Sequence, residues 1–327
     1  MNSLFRTPLT ERKDLAEIFE VPRLFVKDES ANPTGTIKDR KALQYWANSL
    51  VVCLTNGNMG YSLATLVNRP TKIINVVDKT IDGVVLAALR KVSIVVQRDL
   101  SRPITEAALR AIGHRYITEK LGLPRKITEK LRLPQNTPFA IVAEFGTNMH
   151  AYSEVTEDIM EYFLHSDISP TNVTVAVPLG GGELMENLLY CPSKHPSSGR
   201  YKTSFKTIGV TSRNVLPLPS KKVLTPWPLT DPYVPDKLRT AYISTEILRR
   251  ISQNITEGTA EVITGISLME TKRAYDLLQQ HGIRAEPSAA IAFAGLWRKK
   301  WNKDDVACVV NTGEGIYNRQ HPFPKAT

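Results

Sequence analysis

Short apolar runs along this chain alternate with longer stretches in which apolar positions recur every third or fourth residue. The runs Leu24–Val26, Val51–Leu54, Lys72–Val77, Val92–Val96, Phe139–Ala143, Val173–Val177, Thr207–Val210 and Val306–Val310 predict buried strands. Helical spacing predicts helices over Gly60–Leu66, Gly83–Arg90, Ile104–Ile112, Ser153–Leu164, Glu183–Leu189, Leu238–Ile251, Leu268–His281 and Ser288–Trp297. A further helix is expected after Lys38, because Ala42, Leu43, Tyr45, Trp46 and Leu50 share a broad face. Leu9–Phe19 reads as an amphipathic stretch. Repeated strand–helix alternation argues for an α/β fold built on parallel sheet.

Two segments interrupt this rhythm. Ile117–Pro124 (ITEKLGLP) is nearly repeated as Ile127–Pro134 (ITEKLRLP), a local tandem insertion expected to form two short helical turns, each stopped near its proline. The period of ten is too short, and the copies too few, for a solenoid. Between Cys191 and Arg250 the chain is proline-rich and carries eleven Lys/Arg against three Asp/Glu. That mixture reads as loop with a solvated basic face, or as a surface steering anionic ligands, and no nucleic-acid module is recognisable in it.

Length and composition narrow the picture. At 327 residues the chain can form one large or two medium domains. Hydrophobic residues at 42% and charged residues at 23% are ordinary globular values, and the net charge is +10. The opening MNSLFRTPL lacks the apolar region of a secretory signal, and the apolar run Ala289–Trp297 is too short to span a bilayer. Cys53, Cys191 and Cys308 are far apart and odd in number, so no disulfide framework is implied and a reducing, cytoplasmic setting fits. Cys191 and His195 are close, but no second pair joins them, so a loop thiol and a loop histidine are expected rather than a metal site.

Candidate chemistry begins at Val26–Lys41, VKDESANPTGTIKDRK. A short strand runs into a turn containing Asn32, Pro33 and Gly35. Thr36 followed by Asp39 fits a helix start, which places Lys38 in the first turn. The positive end of the helix dipole disfavours a cation there, so a lysine amine is easier to keep neutral and nucleophilic. A solvated surface lysine is the alternative on local pattern alone. Gly180-Gly181-Gly182 sits between a strand and a helix, where bare backbone N–H groups can close around a phosphate. A tight structural turn explains the same residues. Thr55-Asn56-Gly57-Asn58 is a turn signal by itself.

Taken together, these segments resemble those of fold-type II enzymes that use pyridoxal 5′-phosphate (PLP), with threonine synthase-like proteins nearest. KDESANPTGTIKDR is similar to the lysine segment of that family, TNGN to its S-[ST]-G-N loop, PLGGGE to its glycine-rich phosphate loop, and VVNTGEGI to its V-V-x-T-G-x-G-L segment. Thr7-Pro8-Leu9 and Glu286-Pro287 through Leu296 fit the same order. The resemblance implies that Lys38 forms the Schiff base with PLP and is the catalytic residue. Asn58 would lie against the cofactor's 3′-oxygen, Gly180, Gly181 and Gly182 would hold its phosphate, and Thr312 would face its ring nitrogen. Thr55, Asn56 and Gly57 would receive the substrate carboxylate. Asn56, Glu183 and Glu314 depart from the family pattern.

The implied fold is two parallel-sheet α/β domains, a large PLP-binding one from residues 1–47 and 150–327 and a smaller mobile one from 48–149, with the cofactor between them. The implied function is elimination or replacement at the β or γ carbon of an amino acid, best matched by threonine synthase-like chemistry on O-phosphohomoserine. Cysteine synthase-like β-replacement, serine or threonine dehydration, and a non-catalytic PLP or amino-acid binding relative are the alternatives. A nucleotide-binding α/β enzyme using Gly180–Gly182 is a further reading. A small amino-acid substrate, a homodimer, and no metal, nucleic acid or membrane partner are expected.

Overall fold

The computed structural model describes residues 6–45, 50–67, 72–100, 104, 106–120, 139–142, 150–165, 172–194, 203–212, 225–226 and 242–316. The chain divides into two compact units, Met1–Ile37 with Gly146–Thr327, and Lys38–Phe145. Both are parallel-sheet α/β structures.

Among the described residues the larger unit holds a six-stranded sheet. Its strands, in spatial order, are β1 (Leu9–Glu11), β2 (Leu24–Asp28), β12 (Asp305–Asn311), β7 (Asn172–Pro178), β8 (Ser204–Val210) and β11 (Ala260–Ile263). Only β1 runs antiparallel, pairing Thr10 with Val26. The central register sets Val309 beside both Val26 and Ala176. The valine-rich runs are buried on both faces, as a sheet covered by helices on each side requires. One face buries Val26, Ala176, Ile208, Val210 and Val309 against the helix Pro287–Ala294 and the helices Lys13–Ile18 and Leu268–Gln280. The other buries Phe25, Val175, Val177, Cys308 and Val310 against Ser153–His165, Glu183–Lys194 and Thr245–Thr256. Phe25 meets Phe163 edge-on, ring centroids 5.0 Å apart. A separate antiparallel ribbon pairs β9 (Thr225–Pro226) with β10 (Tyr242–Ile243).

The smaller unit has a four-stranded parallel sheet in the order β5 (Ile94–Arg98), β4 (Lys72–Asp78), β3 (Leu50–Leu54), β6 (Phe139–Val142), again among the described residues. Val51, Cys53, Ile73 and Val142 pack on Met59 and Leu63 of the helix Asn58–Leu66, while Val52, Ile74 and Val76 pack with Leu109 of Glu106–Lys120.

Several expectations change. The helix from Lys38 ends at Ala42 and tightens into a 3₁₀ turn, Leu43–Tyr45. Leu50 heads β3 instead, because its side chain is buried in the sheet's core. Leu9–Phe19 splits: Leu9–Glu11 is an edge strand, and only Lys13–Ile18 is helical. The helix expected from Leu238 starts at Thr245, where the Ser244 hydroxyl accepts the Glu246 N–H, and Tyr242–Ile243 is extended. Cys191 lies in the helix Glu183–Lys194 rather than in a loop. Of the ITEKL duplication, Ile117–Lys120 ends the helix Glu106–Lys120; the second copy, His195 and most of the basic proline-rich region lie outside the described residues.

Candidate active site

The carboxyl ends of β2, β12 and β7 are neighbours in the larger sheet. Parallel α/β sheets present their ligand sites at this edge. From β7 the chain passes through Gly180–Gly182 into the helix Glu183–Lys194. The Leu179 N–H donates to the Val210 carbonyl at 2.8 Å, tying the loop's first residue to β8. Gly182 adopts φ +83°, a left-handed turn that a side chain disfavours, and its carbonyl accepts the Glu186 N–H at 2.8 Å to start the helix. The N–H groups of Gly180, Gly181 and Gly182 meet no acceptor among the described residues of this unit. Donors left this way at a helix N-terminus, on the buried Gly181 and Gly182 and the half-buried Gly180, suit an anion.

From β2 the chain runs through the turn Glu29–Ala31 toward Lys38, and the residues before Lys38 form a polar frame. Lys27 is fully buried; it donates to Asp158 Oδ2 at 2.6 Å and to the Thr7 carbonyl at 2.9 Å. The buried Glu29 carboxylate accepts from the Thr7 hydroxyl at 2.5 Å and from Asn32 Nδ2 at 2.7 Å. Asp28 Oδ1 accepts from the Ser30 N–H at 3.0 Å and from Asn311 Nδ2 at 2.8 Å. The Ile37 N–H then donates to the Thr312 carbonyl at 3.0 Å, and the Glu314 N–H donates to the Gly35 carbonyl at 3.0 Å. Thr36 and Gly313 form an antiparallel bridge. The approach is so close that a Cβ on Gly313, at φ +117°, would stand 2.1 Å from the Gly35 oxygen. Glu314 packs over Gly35 and pairs with Arg284 at 3.4 Å. The Thr312 side chain, half-buried, makes no hydrogen bond among the described residues of this unit.

Lys38 is the first residue of the helix Lys38–Ala42 and is half-buried. Within the smaller unit that helix packs on Asn58–Leu66. Thr55 Oγ1 accepts the N–H groups of Gly57 at 2.9 Å and Gly60 at 3.2 Å. It thereby caps a helix whose own N-cap, Gly57, has no side chain to do so. Thr55 and Asn58 are buried, and Asn58 opens the helix. Cys53 lies beneath, its thiol pushed up to about 12 by burial, with the Lys41 and Lys38 charges opposing.

Two acidic residues crowd the turn after the glycine loop. Glu183 and Glu186 are both buried. Burial pushes Glu186 up to about 7; Arg250 opposes this at 3.0 Å, and Glu183 and Glu246 reinforce it. The sequence marks Glu183 by its place after the glycine run but gives Glu186 no such mark; its burial follows from the packing of helix Thr245–Thr256 against its own helix. Asn311 carries one sequence signal, a polar residue at the end of an apolar strand. Among the described residues no group of three or more His, Cys, Asp or Glu could hold a metal, and no helix is long and apolar enough to cross a membrane.

The expected residues therefore fall into two sets. Gly180–Gly182 and Thr312 lie at adjacent strand ends of the larger sheet; Lys38, Thr55, Asn56, Gly57 and Asn58 belong to the smaller unit. Many solved structures resemble this chain, among them three that cover nearly its full length. A T.th. threonine deaminase is 17% identical, with TM-score 0.66, covering 98% of this chain and 94% of its own. O-ureido-L-serine synthase is 16% identical, with TM-score 0.68 and coverage of 100% and 96%. Maize serine racemase is 14% identical, with TM-score 0.63 and coverage of 95% and 88%. Likeness at this identity speaks to the fold. No curated protein matches the sequence. The family model described as pyridoxal-phosphate dependent enzyme matches residues 2–313, nearly the full length, and the chain belongs to that family.

Proposed function

We propose that this chain is an enzyme of amino-acid metabolism that uses PLP to eliminate or replace a group at the β or γ carbon, with threonine synthase-like chemistry the leading form. The observation that carries the reading is the join of Ile37 to Thr312, 3.0 Å from N–H to carbonyl, at the strand end next to the glycine loop. It ties the residue before Lys38 to the one proposed to face the ring nitrogen. The donor set fits PLP: N–H groups that meet no acceptor among the described residues of their unit for a phosphate, a hydroxyl for a ring nitrogen, and a primary amine at a helix start. When bound, the pyridoxal ring supplies the electron sink that lets a proton leave the α-carbon.

The remaining work falls to this chain's own backbone and side-chain groups. Gly180, Gly181 and Gly182 bind the phosphate through their N–H groups, helped by the helix that begins at Glu183. The Thr312 hydroxyl would meet the ring nitrogen, and as a neutral partner would leave it less protonated than an aspartate would. Asn58 would lie against the 3′-oxygen. Asn56 and Gly57 would receive the substrate carboxylate; Thr55, whose oxygen accepts the Gly57 and Gly60 N–H groups, would hold that loop in shape. Lys38 anchors the cofactor and then holds and moves the α-proton at its Nζ. We place the enzyme in the cytoplasm on its odd number of widely spaced cysteines, and as a homodimer on the resemblance alone.

Purified protein with added PLP is expected to show a visible band, and borohydride reduction to leave a pyridoxyl group that stays on the denatured wild-type chain but not on Lys38→Ala. A screen of O-phosphohomoserine, O-acetylserine, O-phosphoserine, serine and threonine then identifies the substrate by the change in that band. A protein that shows no band overturns the reading. One observation favours a second reading, a PLP-binding relative without turnover: the buried Glu183 carboxylate adjoins the phosphate loop, where it would repel a dianion. A band that no amino acid perturbs selects it.

A further inference from the structure

Asn311 is fully buried at the last position of β12, immediately before Thr312. Its amide nitrogen donates to Asp28 Oδ1 at 2.8 Å and to the Arg284 carbonyl at 2.9 Å. Its amide oxygen accepts the Gly313 N–H at 3.3 Å. The orientation follows from these neighbours, since a flipped amide would set oxygen against two acceptors and NH₂ against a donor. One side chain thus holds the residue after Thr312, while the Gly313 carbonyl accepts the Glu286 N–H at 2.8 Å and the Thr312 carbonyl accepts the Ile37 N–H. Thr312 is clamped on both sides. Asp28 completes the clamp from the segment leading to Lys38, and its Oδ1 also accepts the Ser30 N–H. Neither an alanine nor an aspartate could replace Asn311 here: the first makes none of the three bonds, and the second sets a carboxylate against Asp28.

We propose that Asn311, held by Asp28, is a positioning residue that aims the Thr312 hydroxyl at the cofactor's ring nitrogen. The inference rests on the reading of Thr312 given above. It predicts that the two positions act as one unit, because Asn311 reaches the cofactor only through Thr312.

The test uses the full-length protein loaded with PLP. Thr312→Ala is expected to shift the visible band, and Asn311→Ala to shift it the same way with PLP still bound. The double variant should move it no further. Turnover with whichever amino acid the screen identifies should fall roughly tenfold or more for Asn311→Ala, with KM changed less than about twofold, as small misplacement of a reacting group produces. Asp28→Ala should reproduce the shift, and Asp28→Asn, which keeps an acceptor oxygen, should restore the wild-type band. These two variants also serve if Asn311→Ala fails to fold. A loaded Asn311→Ala protein with the wild-type band and only a lower melting temperature overturns the inference alone, as do additive effects of Asn311→Ala and Thr312→Ala. A wild-type protein that takes up no PLP overturns the site reading itself and this inference with it.

Discussion

The N–H of Ile37 donates to the carbonyl of Thr312 at 3.0 Å, joining the segment that leads into Lys38 to the end of the chain's last described strand. The bond holds the peptide between Thr36 and Ile37, one residue short of Lys38, through a partner remote in sequence.

Replacing Lys38 separates anchoring from binding. Lys38→Ala should abolish the covalent attachment that borohydride reduction fixes, while the Gly180–Gly182 N–H groups still hold PLP reversibly. Equilibrium dialysis checks this. Loss of all PLP binding in Lys38→Ala would argue against the glycine loop as the phosphate site.

Gly313 should tolerate no side chain. At φ +117°, with a Cβ 2.1 Å from the Gly35 oxygen, Gly313→Ala must push apart the two turns that carry Thr312 and lead to Lys38. The expected cost is about 2–4 kcal/mol in urea unfolding, together with weaker PLP uptake. An alanine variant of wild-type stability would contradict the geometry.

Glu186 should make stability depend on pH. Its folded value of about 7 stands above the ordinary 4.5, because burial favours the neutral acid. The stabilising contribution is therefore complete below about 4.5 and is lost as pH rises through about 7. Relative to wild type, Glu186→Gln should gain melting temperature between pH 5 and pH 8. A gap between the two melting curves that stays constant over that range would rule this out.

The pair Lys27–Asp158 is structural. Asp158→Ala leaves the fully buried Lys27 ammonium without its 2.6 Å carboxylate. Removing one partner of such a pair costs about 3–5 kcal/mol, and pairing the change with Lys27→Met should recover most of it. Chemical denaturation of the single and double variants measures both.

Cys53 and Cys308 are fully buried, and burial pushes both thiols up to about 12. Neither should react with a thiol reagent in the native protein, and both should react on unfolding. Peptide mapping after labelling distinguishes them from Cys191.

Much of the sheet was legible in the sequence for a simple reason. Runs such as Val173–Val177 and Val306–Val310 are apolar on both faces, and only a strand covered by helices on each side accommodates that. Weaker signals failed where packing decided. Ala260–Ile263 is short and interrupted by Glu261, yet becomes β11 because β8 offers it a parallel edge. Leu50 fits a helical face as well as a strand, and β4 and β6 settled it by pairing with β3.

The local chemistry divides along the same line. Backbone needs are written in residue type, so the glycine loop, the TNGN turn and the helix start at Lys38 could all be found along the chain, and their order carried the family resemblance. Pairwise facts could not. That Asn311 wires Asp28 to the Thr312 turn, that Glu186 faces Arg250 in a buried setting, and that Ile37 meets Thr312 each depend on residues remote in sequence. A side chain's burial and partners arise only when elements pack, so the tertiary structure alone decided which polar residues do structural work and which remain for chemistry.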